Sequence, residues 1–438
     1  MRAVTKLGTA ALSALAIFGT TANAQAAAPD AGGASRGGHL PDVFAQAGYS
    51  DRAVDRKVQA AWDQLFHGSP GTDATHRDGQ SIYYQLSPDL AYVEDIGNQD
   101  VRTEGMGYAM MIAVQLGHKH EFDSLWNFAK TKMQLQSGPT KYYFAWHTDT
   151  NGKVIDSGVA PDGDQWIAAA LTFAAGRWGN GHGIYDYGTE GSQILHAMWH
   201  ESDTGGVDMF KRDSYLPLFT PPATTIDFTD PSYALPAFYK VFAAADPSDA
   251  GLWQRAYTAG EELLQDAHDP RTGLAPCYAN YDGTPARAPW DAPGPDAYGP
   301  NFQEDAWRAV ANANIDAAWW GTKPWQTTYS DTVERFFAGQ GVSTYVSRYH
   351  LDGTPLTNGQ NTYEPAHAEG LVAMNSTTAI TASSRQRTAF VRDFWNTPIP
   401  SGQARYYDGM LYMLGLLYDS GDFKVWGPVS GHPGHPRA

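Results

Sequence analysis

The sequence predicts an all-α protein, a ring of twelve helices that alternate between inner and outer positions. Six segments combine carboxylates or other polar groups with aromatics and lead into apolar runs: 101–108, 160–166, 230–236, 301–308, 363–369 and 405–408. Charged, amphipathic segments lie before or between them, at 51–67, 119–135, 189–202, 248–269, 326–339 and 384–395. If all inner helices run in the same direction, their polar starts meet at one end of the ring. We expect the active site at that end.

Each inner helix is predicted from its start signal and from the run that follows it. Ser, Thr, Asp or Pro stands ahead of, or just inside, each apolar run, as is typical of helix starts. The runs from Met106 to Leu116 and from Ile167 to Ala175 contain almost no charge. Helices that are apolar nearly all round belong inside a protein. Asp230 is followed by Pro, which favours an N-cap at that position.

The two ends of the chain differ in composition from its middle. Residues 1–24 have a basic start, a short apolar core and an Ala22-Asn-Ala24 site, which predicts a secretory signal peptide. Residues 25–40 are predicted to be a disordered lead-in, and 429–438 a disordered tail. No linker composition interrupts the rest, so we predict a single catalytic domain over 41–428. The protein is then secreted or periplasmic, and we expect a monomer without membrane insertion.

Charge and aromatic content narrow the substrate class. The net charge of −17 argues against nucleic acid, anionic lipid surfaces and acidic polysaccharides as partners, which favours neutral polymers. Cys277 is the only cysteine, so no intramolecular disulfide is possible. The chain contains 14 Trp, 24 Tyr and 18 Phe, and several of them lie in loops or at the polar helix starts, Trp146, Trp166, Tyr233 and Tyr407 among them. Flat apolar faces beside carboxylates suit a sugar ring.

Three carboxylates are candidates for glycosidic bond cleavage, which uses one protonated and one ionised carboxyl group. Glu104 becomes an acid if burial or a second carboxylate raises its pKa. Asp305 lies one helical turn before Arg308, which can hold it ionised as a general base or a nucleophile. Asp162 would be the third carboxylate and bind the sugar at the cleavage point. The structural alternative for each carboxylate is a helix cap.

Other reaction chemistries are less well supported by the sequence. The His residues show no ligand cluster, so we predict no metal site and no cofactor. No G-x-S-x-G nucleophile motif, no P-loop and no G-x-G-x-x-G motif after a strand is present.

The motifs together resemble glycoside hydrolase family 8, in its xylan-acting branch, and are most similar to reducing-end xylose-releasing exo-oligoxylanases. The resemblance runs from about Pro41 to Trp426. It is carried by Val101-Arg-Thr-Glu-Gly-Met, Phe144-Ala-Trp, Ala160-Pro-Asp-Gly, Asp230-Pro-Ser-Tyr, Gly273-Leu-Ala-Pro, Tyr281-Asp-Gly-Thr-Pro, Phe394-Trp-Asn-Thr-Pro, Arg405-Tyr-Tyr-Asp and Ser420-Gly-Asp-Phe-Lys.

The resemblance implies an (α/α)6 barrel of six inner and six outer helices, and hydrolysis with inversion. It implies that Glu104 is the general acid and Asp305 the general base, and that Asp162 binds the sugar on the non-reducing side of the cut. Further binding residues are expected at Trp146, Trp166, Tyr233, Arg308, His367 and Tyr407. The chain departs from the pattern at Asp164 and Trp166, where Glu and Tyr are expected. It departs again at Ala366-His367-Ala368, where a Leu-His-Pro wall limits the cleft in exo-acting members.

The sequence therefore predicts a secreted, inverting hydrolase of β-1,4-linked xylo-oligosaccharides. We expect release of xylose from the reducing end, because His367 alone can block the groove and hydrogen-bond the terminal hydroxyl. An endo-β-1,4-xylanase or β-1,4-glucanase of the same family is the first alternative. A lyase or epimerase on the same barrel would instead need a central His, Tyr or Arg base. A periplasmic oligosaccharide-binding protein would need no acid and base.

Overall fold

The computed structural model describes residues 40–221, 225–356 and 366–427. The predicted signal peptide, the lead-in apart from Leu40, and the tail lie outside these residues. Within the described ranges the chain forms thirteen α-helices: α1 Val43–Gln46, α2 Asp51–His67, α3 Thr103–Leu116, α4 Lys119–Phe128, α5 Pro161–Trp178, α6 Tyr187–His200, α7 Pro236–Ala245, α8 Ala250–Asp266, α9 Trp307–Trp320, α10 Pro324–Gln340, α11 Glu369–Ser376, α12 Arg387–Asn396 and α13 Arg405–Asp419.

Six of these helices form a closed inner ring. Helices α3, α5, α7, α9, α11 and α13 contact one another in that order, and α13 returns to contact α3. Each inner helix also packs against one outer helix: α3 with α4, α5 with α6, α7 with α8, α9 with α10, α11 with α12, and α13 with α2. The predicted all-α fold with six inner and six outer helices, the (α/α)6 barrel, is confirmed.

Burial follows the predicted division between the two rings. In α5, every residue from Pro161 to Ala174 is buried. In the outer helix α2, only one face is buried, by side chains such as Val54, Trp62 and Leu65. An apolar stripe on one side is what an outer helix needs, whereas an inner helix contacts neighbours on all sides.

Short strands, which the sequence did not predict, lie at the helix starts. β1 (Tyr83–Ser87) and β2 (Leu90–Val93) form an antiparallel hairpin. β3 (Val101–Arg102), β4 (His147–Thr148) and β5 (Val154–Asp156) form a second antiparallel sheet, with Arg102 opposite His147. Because β3 leads directly into α3, this sheet fixes the backbone just before Glu104.

Glycines allow the starts of α3 and α5 to approach closely. A Cβ atom on Gly107 would lie 2.7 Å from the Cβ atom of Trp166, and one on Gly163 would lie 2.5 Å from Oγ1 of Thr103. Neither contact is possible for a larger residue without movement of a helix. Glu104 directly follows Thr103, and Asp162 directly precedes Gly163. Within the described residues, no helix is long and apolar enough to cross a membrane.

Candidate active site

Two cavities meet among the starts of the inner helices. The larger has a volume of 620 Å³ and is lined by Trp146, Asp162, Phe219, Tyr233, Tyr278 and Trp290, among other residues. The smaller has a volume of 240 Å³ and is lined by Asp95, Asn98, Glu304, Gln403, Tyr406 and Tyr407, among others. Arg102, Glu104, Tyr298 and Asp305 line both cavities. A molecule that spans the two must therefore pass Glu104 and Asp305.

The Arg308 side chain, on the first turn of α9, lies at the centre of the site. Its Nη1 atom donates to Oε1 of Glu104 at 2.7 Å and to Oδ2 of Asp162 at 2.8 Å. The same nitrogen lies 2.6 Å from the hydroxyl of Tyr108. Its Nη2 atom donates to Oδ1 of Asp305 at 3.2 Å. The guanidinium thus joins the three candidate carboxylates that the sequence placed on three separate helix starts.

The hydrogen bonds around Nη1 are crowded. A guanidinium Nη1 atom carries two hydrogens, but three oxygens lie within 2.8 Å of it. Because a guanidinium nitrogen cannot accept a hydrogen bond, two of the three oxygens must share one of its hydrogens.

Glu104 is a carboxyl group whose surroundings favour the protonated form at neutral pH. Burial raises the pKa of Glu104 to about 8, with further increases from the negative charges of Asp162 and Asp305. Arg308 acts in the opposite direction and limits the increase. The Glu104 side chain remains 17% exposed, and its Oε2 atom accepts from the Tyr406 hydroxyl at 3.4 Å. A protonated carboxyl that is still reachable from the cleft can act as a general acid.

Asp305 lies in the turn just before α9 and is more accessible than Glu104. Its side chain is 28% exposed, and its backbone N–H donates to the Tyr298 hydroxyl at 3.3 Å. One carboxylate oxygen contacts Arg308, as described above. The other is then available to accept a proton from a water molecule in the cleft.

Asp162 and Asp230 are the buried acidic members of the cluster. Oδ1 of Asp162 accepts from the backbone N–H of Gly163 at 2.8 Å, and burial raises its pKa. Asp230 caps the short 3-10 helix Pro231–Tyr233 by accepting from the backbone N–H of Ser232, which confirms its predicted capping role. Its other oxygen lies 4.0 Å from Nη2 of Arg308, so Asp230 is also part of the charge cluster. Burial raises the pKa of Asp230 well above its usual value.

Aromatic side chains form the walls of the larger cavity. Trp146 lies beneath the Arg102 guanidinium, whose carbon is 5.4 Å from the ring centre. Tyr233 stacks on Phe219 with ring centres 5.8 Å apart. Trp290 extends from the Pro- and Gly-rich segment 274–299 and is 54% exposed. The half-exposed Trp146 and the exposed Trp290 offer flat faces for sugar rings, whereas Tyr233 is only 7% exposed.

The structure places the predicted binding residues Tyr407 and Trp166 in different surroundings. Tyr407 lines the smaller cavity and donates to the carbonyl of Glu304 at 2.8 Å. Trp166 lies in the core instead of the cleft, so its prediction as a binding residue needs correction. It is 4% exposed, because it packs edge-on between Tyr108 of α3 and Phe238 of α7.

His367 lines neither of the two cavities described above. Its Nδ1 atom is 2.8 Å from the carbonyl oxygen of Tyr345, and its Nε2 atom is 3.3 Å from Oδ2 of Asp393. Both ring nitrogens are therefore engaged by protein groups. The preceding residues 357–365 lie outside the described residues.

Several residues of the site were not singled out from the sequence. Tyr108 follows Glu104 by one helical turn, so helical spacing alone places it on the same face and could have indicated it. Tyr298 and Trp290 lie in an irregular segment, where no periodic pattern predicts direction. Tyr406 precedes the predicted Tyr407, but nothing local distinguishes which of the two contacts Glu104.

Comparisons with known proteins give a consistent picture. The model of the family "Glycosyl hydrolases family 8" matches residues 91–421. The reducing-end xylose-releasing exo-oligoxylanase Rex8A of Paenibacillus barcinonensis is 41% identical over 397 residues, which are 90% of this chain and 98% of that protein. A protein of the same activity from Halalkalibacterium halodurans is 38% identical, over 90% of this chain and 96% of its own. The solved structure of Rex8A with xylose has a TM-score of 0.81 and 39% identity, and covers 89% of this chain and 98% of that one.

Proposed function

The chain belongs to glycoside hydrolase family 8 and is a glycosidase, and on that premise we propose that it hydrolyses β-1,4-linked xylo-oligosaccharides with inversion, releasing xylose from the reducing end. The observation that carries this proposal is the Arg308 cluster. One guanidinium contacts Glu104, Asp162 and Asp305 where a large cavity meets a small one. The relatives named for this activity support the choice of substrate and of product.

In this proposal Glu104 is the general acid. Its raised pKa keeps a proton available at neutral pH, and the proton moves to the glycosidic oxygen as the bond to C1 breaks. The released sugar leaves with a new hydroxyl group. Arg308 then balances the negative charge that remains on the Glu104 carboxylate.

Asp305 is the general base in the same scheme. It takes one proton from a water molecule, whose oxygen forms the new bond to C1 on the face opposite the leaving group. Glu104 and Asp305 contact different nitrogens of the Arg308 guanidinium. The guanidinium group, with one hydrogen bond to each carboxyl, therefore lies between the two carboxyl groups. We expect the two carboxyl groups to lie ~6.5–9.5 Å apart, the separation that leaves room for water in an inverting enzyme.

The larger cavity is assigned to the sugars on the non-reducing side of the cut. Asp162 lies there beside Glu104, where it can accept a hydrogen bond from a hydroxyl of the reacting sugar. Trp146, Tyr233 and Trp290 provide ring faces along the same cavity. Because binding energy from remote sugars can be used to distort the reacting one, a long glycone side favours catalysis on oligomers.

The smaller cavity is assigned to the leaving sugar. It has 240 Å³, against 620 Å³ on the other side, and polar side chains such as Asp95, Asn98 and Gln403 line it. A short leaving side favours release of a single sugar. Because His367 lines neither cavity, we base the exo proposal on this difference in volume and on the relatives. The small residues Ala366 and Ala368 keep endo-β-1,4-xylanase activity as the second candidate.

The deciding experiment is product analysis with xylohexaose. We expect early release of free xylose and xylopentaose, with NMR showing an α-anomer as the first product of the newly formed reducing end. Glu104→Gln should bind xylohexaose without cleaving it. Mid-length products without free xylose would indicate endo action. A β-anomer as the first product would indicate retention. An intact hexamer would indicate a binding protein.

We also propose that the protein leaves the cytoplasm by way of the signal peptide at residues 1–24. The support is the composition of that segment alone. Expression of the full chain in a bacterium, followed by mass determination of the exported protein, tests this proposal. A mature chain that begins at Gln25 is expected, and an uncleaved cytoplasmic chain would contradict it.

A further inference from the structure

Two histidines and a buried carboxylate come together between two outer helices. His196 and His200 lie on α6, four positions apart and therefore on one face, and their rings stack with centres 4.3 Å apart. Asp249 immediately precedes α8, and its side chain is 9% exposed. His200 Nε2 is 2.9 Å from both carboxylate oxygens of Asp249, and His196 Nδ1 is 3.4 Å from Oδ2.

The spacing of these atoms fits a first-row metal site once the two stacked rings turn so that both nitrogens face one ion. One ligand atom from each of the three residues lies within 4.8 Å of the other two. In a tetrahedral zinc site with bonds of about 2.0–2.1 Å, neighbouring ligand atoms are separated by about 3.3 Å. The distances from the histidines to Asp249 are already close to that value. Two imidazoles and a carboxylate are also ligands that Zn²⁺ accepts.

A fourth residue supports His200 from the other side of its ring. The Nδ1 atom of His200 is 2.8 Å from Oδ2 of Asp203. In metal sites the ring nitrogen that does not bind the metal commonly donates to a carboxylate, which fixes the tautomer and the ring orientation. Asp203 is placed to do this once a metal ion replaces the hydrogen that Nε2 shares with Asp249.

We propose that His196, His200 and Asp249 bind a Zn²⁺ ion, with Asp203 orienting His200. The His196 side chain is 60% exposed, so an ion can enter from solvent and keep a water molecule as its fourth ligand. His200 and Asp249 are 49 positions apart in the chain. Because the ligands come from α6 and from the start of α8, the ion would join two helical hairpins of the barrel and stabilise the folded state.

The test is a ZnCl₂ titration by calorimetry, together with thermal unfolding at increasing zinc. His432 and His435 of the tail can also bind zinc, so every protein carries His432→Gln and His435→Gln. We expect one ion per chain and a rise in the unfolding midpoint that saturates with the same affinity. Asp203→Asn should weaken binding by about 10- to 100-fold, and His196→Gln and Asp249→Asn by at least about 10-fold.

The exposed His182 provides the matched control, since it is remote in sequence from these ligands and has no role in the proposal. His182→Gln should bind zinc as the parent does. Because His196 is exposed, His196→Gln should fold normally, so its result stands even if Asp249→Asn unfolds. Absence of zinc binding by the parent, or equal binding by the parent and His196→Gln, would overturn the proposal.

Discussion

The carboxyl group of Glu104 is subject to two opposing influences. Burial and the nearby negative charges of Asp162 and Asp305 favour its protonated form, whereas the contact with Arg308 favours the ionised form. The pKa of about 8 shows that burial and the like charges prevail. An acid with this pKa carries its proton at neutral pH and can still release it during reaction.

Separate loss of the two carboxylates should have different consequences. Glu104→Ala should reduce turnover of xylohexaose by roughly 10²- to 10⁴-fold, because the leaving oxygen then receives no proton. An aryl xyloside with a highly acidic phenol needs no such proton, so Glu104→Ala should retain most activity on it. Asp305→Ala should be inactive on both substrates. Steady-state kinetics on the pair of substrates tests this, and the reverse pattern would exchange the two roles.

The pH dependence of kcat/KM should report the protonation of Glu104. Because the acid must be protonated, kcat/KM on xylo-oligosaccharides should fall as the pH rises through about 8. Asp162→Asn removes one of the charges that raise the Glu104 pKa, so the decline should begin at lower pH. The aryl xyloside should show no such decline. If kcat/KM declined identically at alkaline pH for both substrates, the decline would come from a group other than Glu104.

Arg308 should not be replaceable by lysine. A lysine carries one nitrogen, which cannot contact Glu104 and Asp162 on one side and Asp305 on the other. We expect Arg308→Lys to lose at least about 100-fold in kcat, and Arg308→Met to lose about 3–5 kcal/mol of stability as well. Kinetics and urea unfolding measure both effects. The exposed Arg271, replaced by lysine, is the control, and equal effects at the two positions would contradict the central role of Arg308.

At the scale of single elements, the site depends on how closely the starts of α3 and α5 approach. Gly107 and Gly163 are located where the two helices touch, and the chain has no Cβ atom at either point. This contact sets the distance between Glu104, which directly follows Thr103, and Asp162, which directly precedes Gly163. Gly107 of α3 and Gly163 of α5 therefore help to position the two carboxyl groups through packing.

Gly107→Ala tests this packing directly. Alanine is the better helix former by up to about 1 kcal/mol, but its Cβ atom would lie 2.7 Å from that of Trp166. Overpacking should prevail and cost about 1–3 kcal/mol in the free energy of unfolding. Gly339→Ala, in the last turn of α10, meets no atom within 4 Å and should be neutral or stabilising. Urea unfolding of both variants measures the contrast, and stabilisation by both would refute the packing argument.

At the scale of the whole molecule, the barrel encloses several carboxyl groups besides those of the cleft. Burial raises the pKa of Asp316 and Glu334 to about 7 and that of Asp419 to about 8. All three are inside the helix rings, and Asp419 accepts a hydrogen bond from Ser376. A domain of this size has enough apolar burial to tolerate them, but their protonation links stability to pH.

Stability should therefore decrease as the pH rises from about 6.5 to about 8. A carboxyl with a raised pKa binds its proton more tightly in the folded state, so its stabilising effect is present below the unfolded pKa and is lost as the pH rises through the folded one. Asp316, Glu334 and Asp419 all act in this direction. The half-buried His118 and His268 have lowered pKa values and oppose the trend only below about 6.5.

Thermal unfolding at several pH values checks this expectation. Asp419→Asn removes one of the titrating groups while keeping the side-chain shape, so the decline of the midpoint with pH should become shallower. Asp266→Asn, on the exposed side of α8, is the matched control. An unfolding midpoint that rises between pH 6.5 and 8, or a slope unchanged by Asp419→Asn, would contradict the linkage.

The sequence alone determined the helical rings, the family and much of the acidic cluster. Inner helices contact neighbours on every side and outer helices on one, so the period of 3.6 residues and the distribution of charge distinguish them locally. Helix-start signals placed Glu104, Asp162 and the Asp305–Arg308 pair at the same end of the ring, and the structure brings them together around one guanidinium. The family predicted from the motifs is confirmed by the match over residues 91–421.

Only the tertiary structure decided which side chains of those starts reach the cleft. Trp166 and Tyr233 both lie near helix starts, but α3 and α7 enclose the first, whereas the second lines the larger cavity. Tyr345 and Asp393 orient the His367 ring. His200 and Asp249 come together although 49 positions of chain separate them, and His196 lies beside them. These placements depend on contacts between residues distant in sequence, and local periodicity carries no information about them.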